Sequence, residues 1–325
     1  MNVIKYALSK LTGLAYRQEY LCLSKEQFSD PLFAYLVLDG IVVKDITTDH
    51  LFVGYKPLII ALPSYPEIEP DRYKKIIVGF NTSLLKIGSK VPGNSFLATL
   101  TLHLISSHPP DKTIVHYCLG QYGRHRFLPV FNQWSFQLNN YLFNRRKTNV
   151  FLGNNLYKQV QIAYAVPRVI SLITLSDDNL FNLFPTDLHG QIHSDYYIIS
   201  LRHEGKACSQ VEKVKQILIS TIHAQAYREV YSLGKNHMKD LKPKEHFIFS
   251  TKLSDKLQLP LPLQAIEYRE LEMISSYTCS IHKLLLFRIL HTKKIGPAEN
   301  TLSHIHSSYA TWRLKQGITG NYLMR

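Results

Sequence analysis

The sequence predicts a mainly β chain, a β-rich α+β fold, on three observations. Apolar runs of strand length, divided by turn chemistry, fill most of the 325 residues. One division, Asp39-Gly40 inside "FAYLVLDGIVVKDI", is the dipeptide that two-residue hairpin turns favour. Helical patterning is sparse. It is clearest in "SQVEKVKQILISTI", where Val211, Val214, Leu218 and Ile222 share one face and Ser209 with Glu212 forms a capping box. One such helix among many strands argues for a β-barrel with a packed helix rather than a parallel α/β sheet.

The strand runs follow in order. After the Asp39-Gly40 hairpin come "HLFVGYKPLIIAL", "KKIIVGF" and "FLATLTLHLI", with "PSYPEIEP" as a connection and "FNQWSFQLNNYLF" as a helix candidate. A polar, basic break at 144–158 divides the chain. It leaves a β-rich region, 1–155, without a chemical motif, and a second region, 156–325. The first region is open between a degenerate second barrel, a cap over a site and an interaction domain. His50 and His282 sit in similar β contexts, which is too little to establish a duplication. In the second region "RVISLITL" is apolar on both faces, as a fully buried strand is. A loop, "SDDNLFNLFPTDLHGQIHSD", leads to "YYIISLR", the Ser209 helix, and the late strands "LPLPLQAIEYRELEMIS" and "HKLLLFRILHTKKI".

Composition narrows the partners. Hydrophobic residues at 45% and charged residues at 19% describe a globular core. The net charge of +14 favours anionic partners, whether nucleic acid, an anionic membrane surface or a phosphate-bearing molecule. The basic runs "NRRK" and "TKK" are short, and the aromatic and Gly spacing of RNA modules is missing, so nucleic acid ranks last. Cys22, Cys118, Cys208 and Cys279 lie far apart without a CxxC pair, which points to a reducing cytoplasm. Val3, Ala7, Leu11 and Leu14 place an amphipathic helix where a signal peptide would stand, and no run is long enough to span a bilayer. A soluble protein with no membrane partner is expected. His304 and His306 have strand spacing but lack a third ligand, so no metal is assigned.

The second region resembles the flavin reductase-like family, the FMN-binding split β-barrel, over about 157–317. "YAVPRVISLITLSDDNLFNLFPTDLHG" is similar to its opening strand and flavin-contacting loop. "YYIISLRHEGKACSQVEKVKQILIS" is similar to its next strand, Lys-Asp-Thr segment and helix, and the two late runs to its paired strands. The resemblance implies bound FMN, hydride transfer from NADH or NADPH to flavin or another acceptor, and a homodimer. Such chemistry belongs to the cofactors, so no acid–base pair is demanded and no catalytic residue is assigned. Carried over residue by residue, Asn182 and Thr186 would bond the flavin's polar edge or ribityl chain, and the backbone of Leu183 and Phe184 would border the ring. Arg202, Lys206, Cys208 and Ser209 would form the phosphate end at a helix N-terminus.

Three alternatives stand beside these roles. Asn182 and Asp187 serve a turn through local side-chain bonds equally well. Ser209 serves as a helix cap. Cys208 stands where the family has a hydroxyl, and a thiol is the weaker donor. A non-catalytic split barrel with weak or lost FMN binding is therefore the alternative function. His282 is expected as a barrel or turn residue, and Tyr309 and Trp312 as anchors of an aromatic tail.

Overall fold

In the computed structural model, residues 7, 10–16, 18–24, 32–65, 72–108, 115–145, 151–297, 300–320 and 322–323 are described. The chain is mainly β with several sheets, an α+β protein. It forms two compact units. One comprises Met1–Leu21, Phe28–Val166 and Ile305–Gly320; the other comprises Cys22–Gln27, Pro167–His304 and Asn321–Arg325. The division thus follows Val166, and Asn154 to Lys158, expected within a polar break, open a helix.

After β1 (Tyr20–Ser24), the first unit contains β2 (Phe33–Leu38), β3 (Ile41–Asp45), β4 (Leu51–Tyr55), β5 (Leu58–Pro63), β6 (Ile76–Asn81), β7 (Ala98–His108) and β8 (Val115–His125). Then come α1 (Val130–Asn139), continued by a π-helical turn over Asn140–Asn144, and α2 (Asn154–Ala163). The β2–β3 hairpin turns at Asp39 and Gly40, whose φ angles of 47° and 87° are the left-handed values such a turn requires. Val3 of the expected first helix and residues 66–70 of "PSYPEIEP" lie outside the described residues; Ala7, Lys10 and Leu11 are helical.

The second unit begins with β9 (Arg168–Val169), β10 (Ser171–Asp177), β11 (Leu180–Thr186), β12 (His189–His193) and β13 (Tyr196–Arg202). There follow α3 (Lys206–Val214), β14 (Gln216–Ile222), α4 (Tyr227–Ser232), a 3-10 turn over Leu233–Met238, β15 (Lys242–Pro243), β16 (Phe249–Leu253) and β17 (Pro260–Pro262). The long hairpin of β18 (Ala265–Cys279) and β19 (His282–Lys294) and then β20 (Leu302–His306) lead to α5 (Ser307–Lys315).

The two main sheets repeat one topology. The first has the order β3-β2-β6-β7-β8-β5-β4; the second runs β11-β10-β14-β18-β19-β13-β12 and adds β15 outside β11. Their long hairpins also share irregularities. The β7–β8 ladder shifts between Thr101 and Leu102 and again between Leu104 and Ser106. The β18–β19 ladder shifts between Glu270 and Leu271 and again between Met273 and Ser275. Each first shift skips one residue on the return strand, Gln121 or Leu290, and each second skips one on the outgoing strand, Ile105 or Ile274. Bulges re-aim a strand and set its twist, so a shared pattern of bulges is a shared backbone shape. This topology matches His50 with His189, each at the start of an equivalent strand, rather than with His282.

Two expected elements differ. The run after "RVISLITL" is a hairpin arm rather than a loop: Asp178 and Asn179 turn with φ of 48° and 64°, and β11 pairs with β10 from Leu180↔Asp177 to Thr186↔Ser171. Asp and Asn tolerate that left-handed backbone, so they close the hairpin without glycine. The Ser209 helix starts earlier and ends sooner. Gly205 occupies its N-cap position, Ser209 lies inside it with Oγ donating to the Lys206 carbonyl (2.9 Å), and Lys215 ends it at φ 60°. Leu218 and Ile222 then belong to β14, whose apolar, β-branched run suits a strand.

Strand alternation buries both faces of the second sheet. Ile173, Leu175, Phe184, Tyr197, Ile199, Phe287 and, from α3, Cys208 and Val211 form one core. Leu172, Leu183, Ile222, Val230 and Leu302 form another on the opposite face. Replacing Phe287, fully buried, by Ala is expected to cost about 3–5 kcal/mol. Denaturant unfolding of Phe287→Ala measures it, and a loss under about 1 kcal/mol would contradict the assigned core.

Candidate functional site

β11 and the start of α3 carry all the residues assigned from sequence except Arg202, which ends β13. Beyond Phe181, where β15 stops pairing, the outer edge of β11 has no strand neighbour among the described residues. Buried strand edges need partners for their carbonyls. The chain supplies them from the turn at Leu233–Met238. Asn236 Nδ2 donates to the Leu183 carbonyl (2.8 Å), and His237 Nε2 meets the Pro185 carbonyl (2.7 Å). A carbonyl only accepts, so Nε2 of His237 carries the proton. Burial, and then the Arg202 charge, lower the His237 pKa and favour this neutral ring.

Asn182 is drawn into the same seam. Its Nδ2 donates to Gln210 Oε1 (2.7 Å) on α3 and to the Asn236 carbonyl (3.2 Å), while Gln210 Nε2 donates to the Lys239 carbonyl (2.9 Å). Leu183 and Phe184 bury their side chains in the two opposite cores, and Phe184 also packs on the His237 ring at 4.8 Å. Thr186 is buried at the end of β11. Around α3, Lys206 holds Asp240 with both oxygens at 2.6–2.7 Å, and Arg202 and Ser209 are exposed. Cys208 turns into the core, where burial raises its thiol pKa to about 11. A Cβ on Gly205 would lie 3.2 Å from the Arg202 carbonyl and 3.4 Å from that of His237. Carbonyl oxygens, repulsive to phosphate, therefore crowd this helix start.

Sequence reasoning missed a second set of residues. Asp187, just past β11, accepts from His304 Nδ1 at 2.9 Å; His304 Nε2 meets Tyr231 OH, which in turn lies 2.9 Å from Cys22 Sγ. With Nδ1–H donated to the Asp187 carboxylate, His304 Nε2 accepts from the Tyr231 hydroxyl. His304 and Asp187 side chains are 15% and 22% exposed, so this chain of hydrogen bonds reaches solvent. The Asp187 in "NLFPTDLHG" was a visible signal; its partners were too distant in sequence to be one.

Close by, His189 stands between Tyr197 OH (2.7 Å) and the Val169 carbonyl (3.1 Å). Burial lowers its pKa to about 4. His282, fully buried beside Ser200 Oγ (3.2 Å), is likewise lowered to about 4, first by burial and then by Arg202. In the first unit Tyr309 is buried and stacks on Trp312 with centroids 5.6 Å apart. Among the described residues no helix is long and apolar enough to cross a membrane.

No family model matches the chain, and no curated protein matches it. Solved structures do resemble it over about half its length. One is an FMN-binding protein from Thermus thermophilus with bound p-hydroxybenzaldehyde, 16% identical over 46% of this chain and 79% of that one, with a TM-score of 0.37. Another is a Streptomyces globisporus NADH:FAD oxidoreductase, 10% identical over 50% and 95%, with a TM-score of 0.41. A third is the styrene monooxygenase flavin reductase of Pseudomonas putida, 16% identical over 46% and 92%, with a TM-score of 0.38.

A neutral-only histidine makes stability depend on pH. His282 binds its proton less readily folded than unfolded, so its contribution is complete above the ordinary pKa of 6.5 and is lost as the pH falls towards about 4. Denaturant unfolding at neutral pH and near the lower limit should show this loss, and His282→Gln should flatten the slope between them. An equal slope in the variant would remove His282 as its source.

Proposed function

We propose that the chain is a flavin reductase-like split-barrel protein whose second unit, with its flavin cradle closed by its own side chains, acts as a binding or structural module with weak resting affinity for FMN. One observation carries this reading: the Asn182 amide and the Leu183 backbone, assigned to a flavin from the sequence, are already bonded by Gln210 and Asn236, and His237 holds the neighbouring Pro185 carbonyl on the same edge. With these groups already paired, FMN would have to displace them to bind beside β11, which supports a weak affinity. Its phosphate fares little better, since Cys208 faces the core and the Arg202 and His237 carbonyls crowd Gly205.

A second reading is an FMN-dependent oxidoreductase that takes hydride from NADH or NADPH. It is favoured by Arg202 and Lys206, two exposed cations beside the α3 start. The Lys206–Asp240 pair is itself exposed and contributes little, so a phosphate can displace Asp240. This reading requires residues 233–240 to leave β11, and a homodimer would accompany it.

Purified protein is expected to be colourless, to bind added FMN weakly and to oxidise NADH or NADPH slowly. Asn236→Ala with His237→Ala should tighten FMN binding at least about tenfold by removing the competing donors. Asp240→Asn, an exposed change that leaves the core untouched, should tighten it less, by freeing Lys206. Stoichiometric FMN in the purified parent, or unchanged affinity in both variants with intact near-UV circular dichroism, would reject the closed-cradle reading. Light scattering on the same samples decides the homodimer.

A further inference from the structure

The helix α1 in the first unit faces the wrong way for an ordinary surface helix. Its buried positions include Ser135 and Phe136, and Asn140 in the π-helical turn is buried as well. Its outward positions are Val130, Phe131, Trp134 and Leu138, continued by Tyr141 and Leu142, all between 42% and 82% exposed. Amides fix that orientation. Gln133 Nε2 donates to the carbonyls of His125 (3.0 Å) and Leu128 (2.8 Å), and Asn140 Nδ2 donates to the Leu152 carbonyl (3.0 Å). Polar groups thus hold the inner side while aromatic and aliphatic groups face out. Single exposed apolar residues are ordinary, but six on one helical stripe form a patch.

The sequence that carries this patch has one sign of charge. Between Asp111 and Asp177 the sequence contains no Asp or Glu and eight Lys or Arg. Arg145 ends the helix, its Cζ 5.2 Å from the Tyr141 ring centroid and its Nη1 donating to the Tyr141 hydroxyl (2.5 Å). Arg146 and Lys147 follow it in sequence. A face rich in Trp, Phe, Tyr and Leu, with Arg145 at its end and a basic run following in the sequence, suits the boundary between headgroups and acyl chains of an anionic bilayer. A second copy of the chain fits less well, because an isologous contact here would bring the same cations together. Single-stranded nucleic acid also fits less well: Val130, Leu138 and Leu142 offer no stacking surface, and Arg145 is the one cation between positions 130 and 145.

We infer that the outward face of α1 with its Arg145 end is a peripheral docking surface for anionic phospholipid membranes. The helix lies in the interfacial layer, and the chain does not span the bilayer there. Dihedral constraints are already met in the free protein, since the amide bonds to His125, Leu128 and Leu152 set the helix before any lipid arrives. Trp134 and Tyr141 sit at headgroup depth, and the guanidinium of Arg145 meets lipid phosphate or carboxylate.

Vesicle sedimentation tests this with phosphatidylcholine alone and with phosphatidylcholine plus phosphatidylserine. The protein should bind the anionic vesicles at least about tenfold more tightly. In a Trp312→Phe background, Trp134 is the sole indole and its emission should shift to the blue with anionic vesicles. Phe131→Ser with Trp134→Ala should weaken binding at least about tenfold, and Arg145→Glu several-fold, with thermal unfolding unchanged. Absence of binding to anionic vesicles, or equal binding by the Phe131→Ser, Trp134→Ala variant, overturns the inference. So does a concentration-dependent dimer, or retention of a single-stranded oligonucleotide, that the same variant abolishes while vesicles are ignored.

Discussion

The open edge of β11 is the constraint from which the second unit takes its form. A strand buried on both faces cannot leave carbonyls without donors, because each unpaired buried group costs about 1–3 kcal/mol. β15 satisfies the first two residues of that edge, and Asn236 and His237 satisfy the carbonyls of Leu183 and Pro185. Pro185 adds to the demand rather than easing it. It has no N–H, so it suits an edge position, yet its carbonyl still needs a donor. The turn at Leu233–Met238 is therefore fixed against β11, and Asn182 and Gln210 tie α3 into the same seam. The placement of this turn on β11 is a consequence of completing the sheet.

The repeated topology sharpens what is special to the second unit. Between β6 and β7 the first unit has only a short connection with a 3-10 turn at Gly93–Ser95. Between the equivalent β14 and β18 the second unit inserts α4, the Leu233–Met238 turn and β15 to β17. The closing segment thus comes from the part of the chain for which the other copy of the topology has no counterpart. The chain of hydrogen bonds from Asp187 through His304 to Tyr231 draws on the same insertion, since Tyr231 belongs to α4. A change that reorganised 223–264 would therefore disturb both the β11 seam and the Asp187–His304–Tyr231 hydrogen bonds.

Local chemistry was legible in the sequence, and non-local chemistry was not. Asp39-Gly40 announced its hairpin because a left-handed turn restricts the residues that can occupy it. The Ser209 helix was misjudged because Val211, Val214, Leu218 and Ile222 satisfy a helical period while Leu218 and Ile222 equally satisfy a strand. Left-handed Lys215 decides the matter, and it carries no sequence mark. The topological repeat escaped notice because it resides in skipped residues such as Gln121 and Leu290, which are backbone events rather than side-chain identities. Asn236 and His237 look like loop residues until β11 is placed beside them.

The energetics of the seam set how far closure can influence a ligand. Three hydrogen bonds hold it to β11: Asn236 to Leu183, His237 to Pro185 and Asn182 to Asn236. At a net value of about 1 kcal/mol each, these bonds contribute about 3 kcal/mol to the closed state, which by itself would leave roughly one molecule in 10² open. A flavin that binds the open state with micromolar affinity would then show an apparent affinity about a hundredfold weaker. That magnitude is large enough to leave a protein colourless at ordinary concentrations. It is also small enough for a partner or ligand with modest preference for the open state to reverse. Under the function proposed above, the two side chains Asn236 and His237 therefore weigh more in flavin affinity than the Cys208 position, whose thiol is committed to the core.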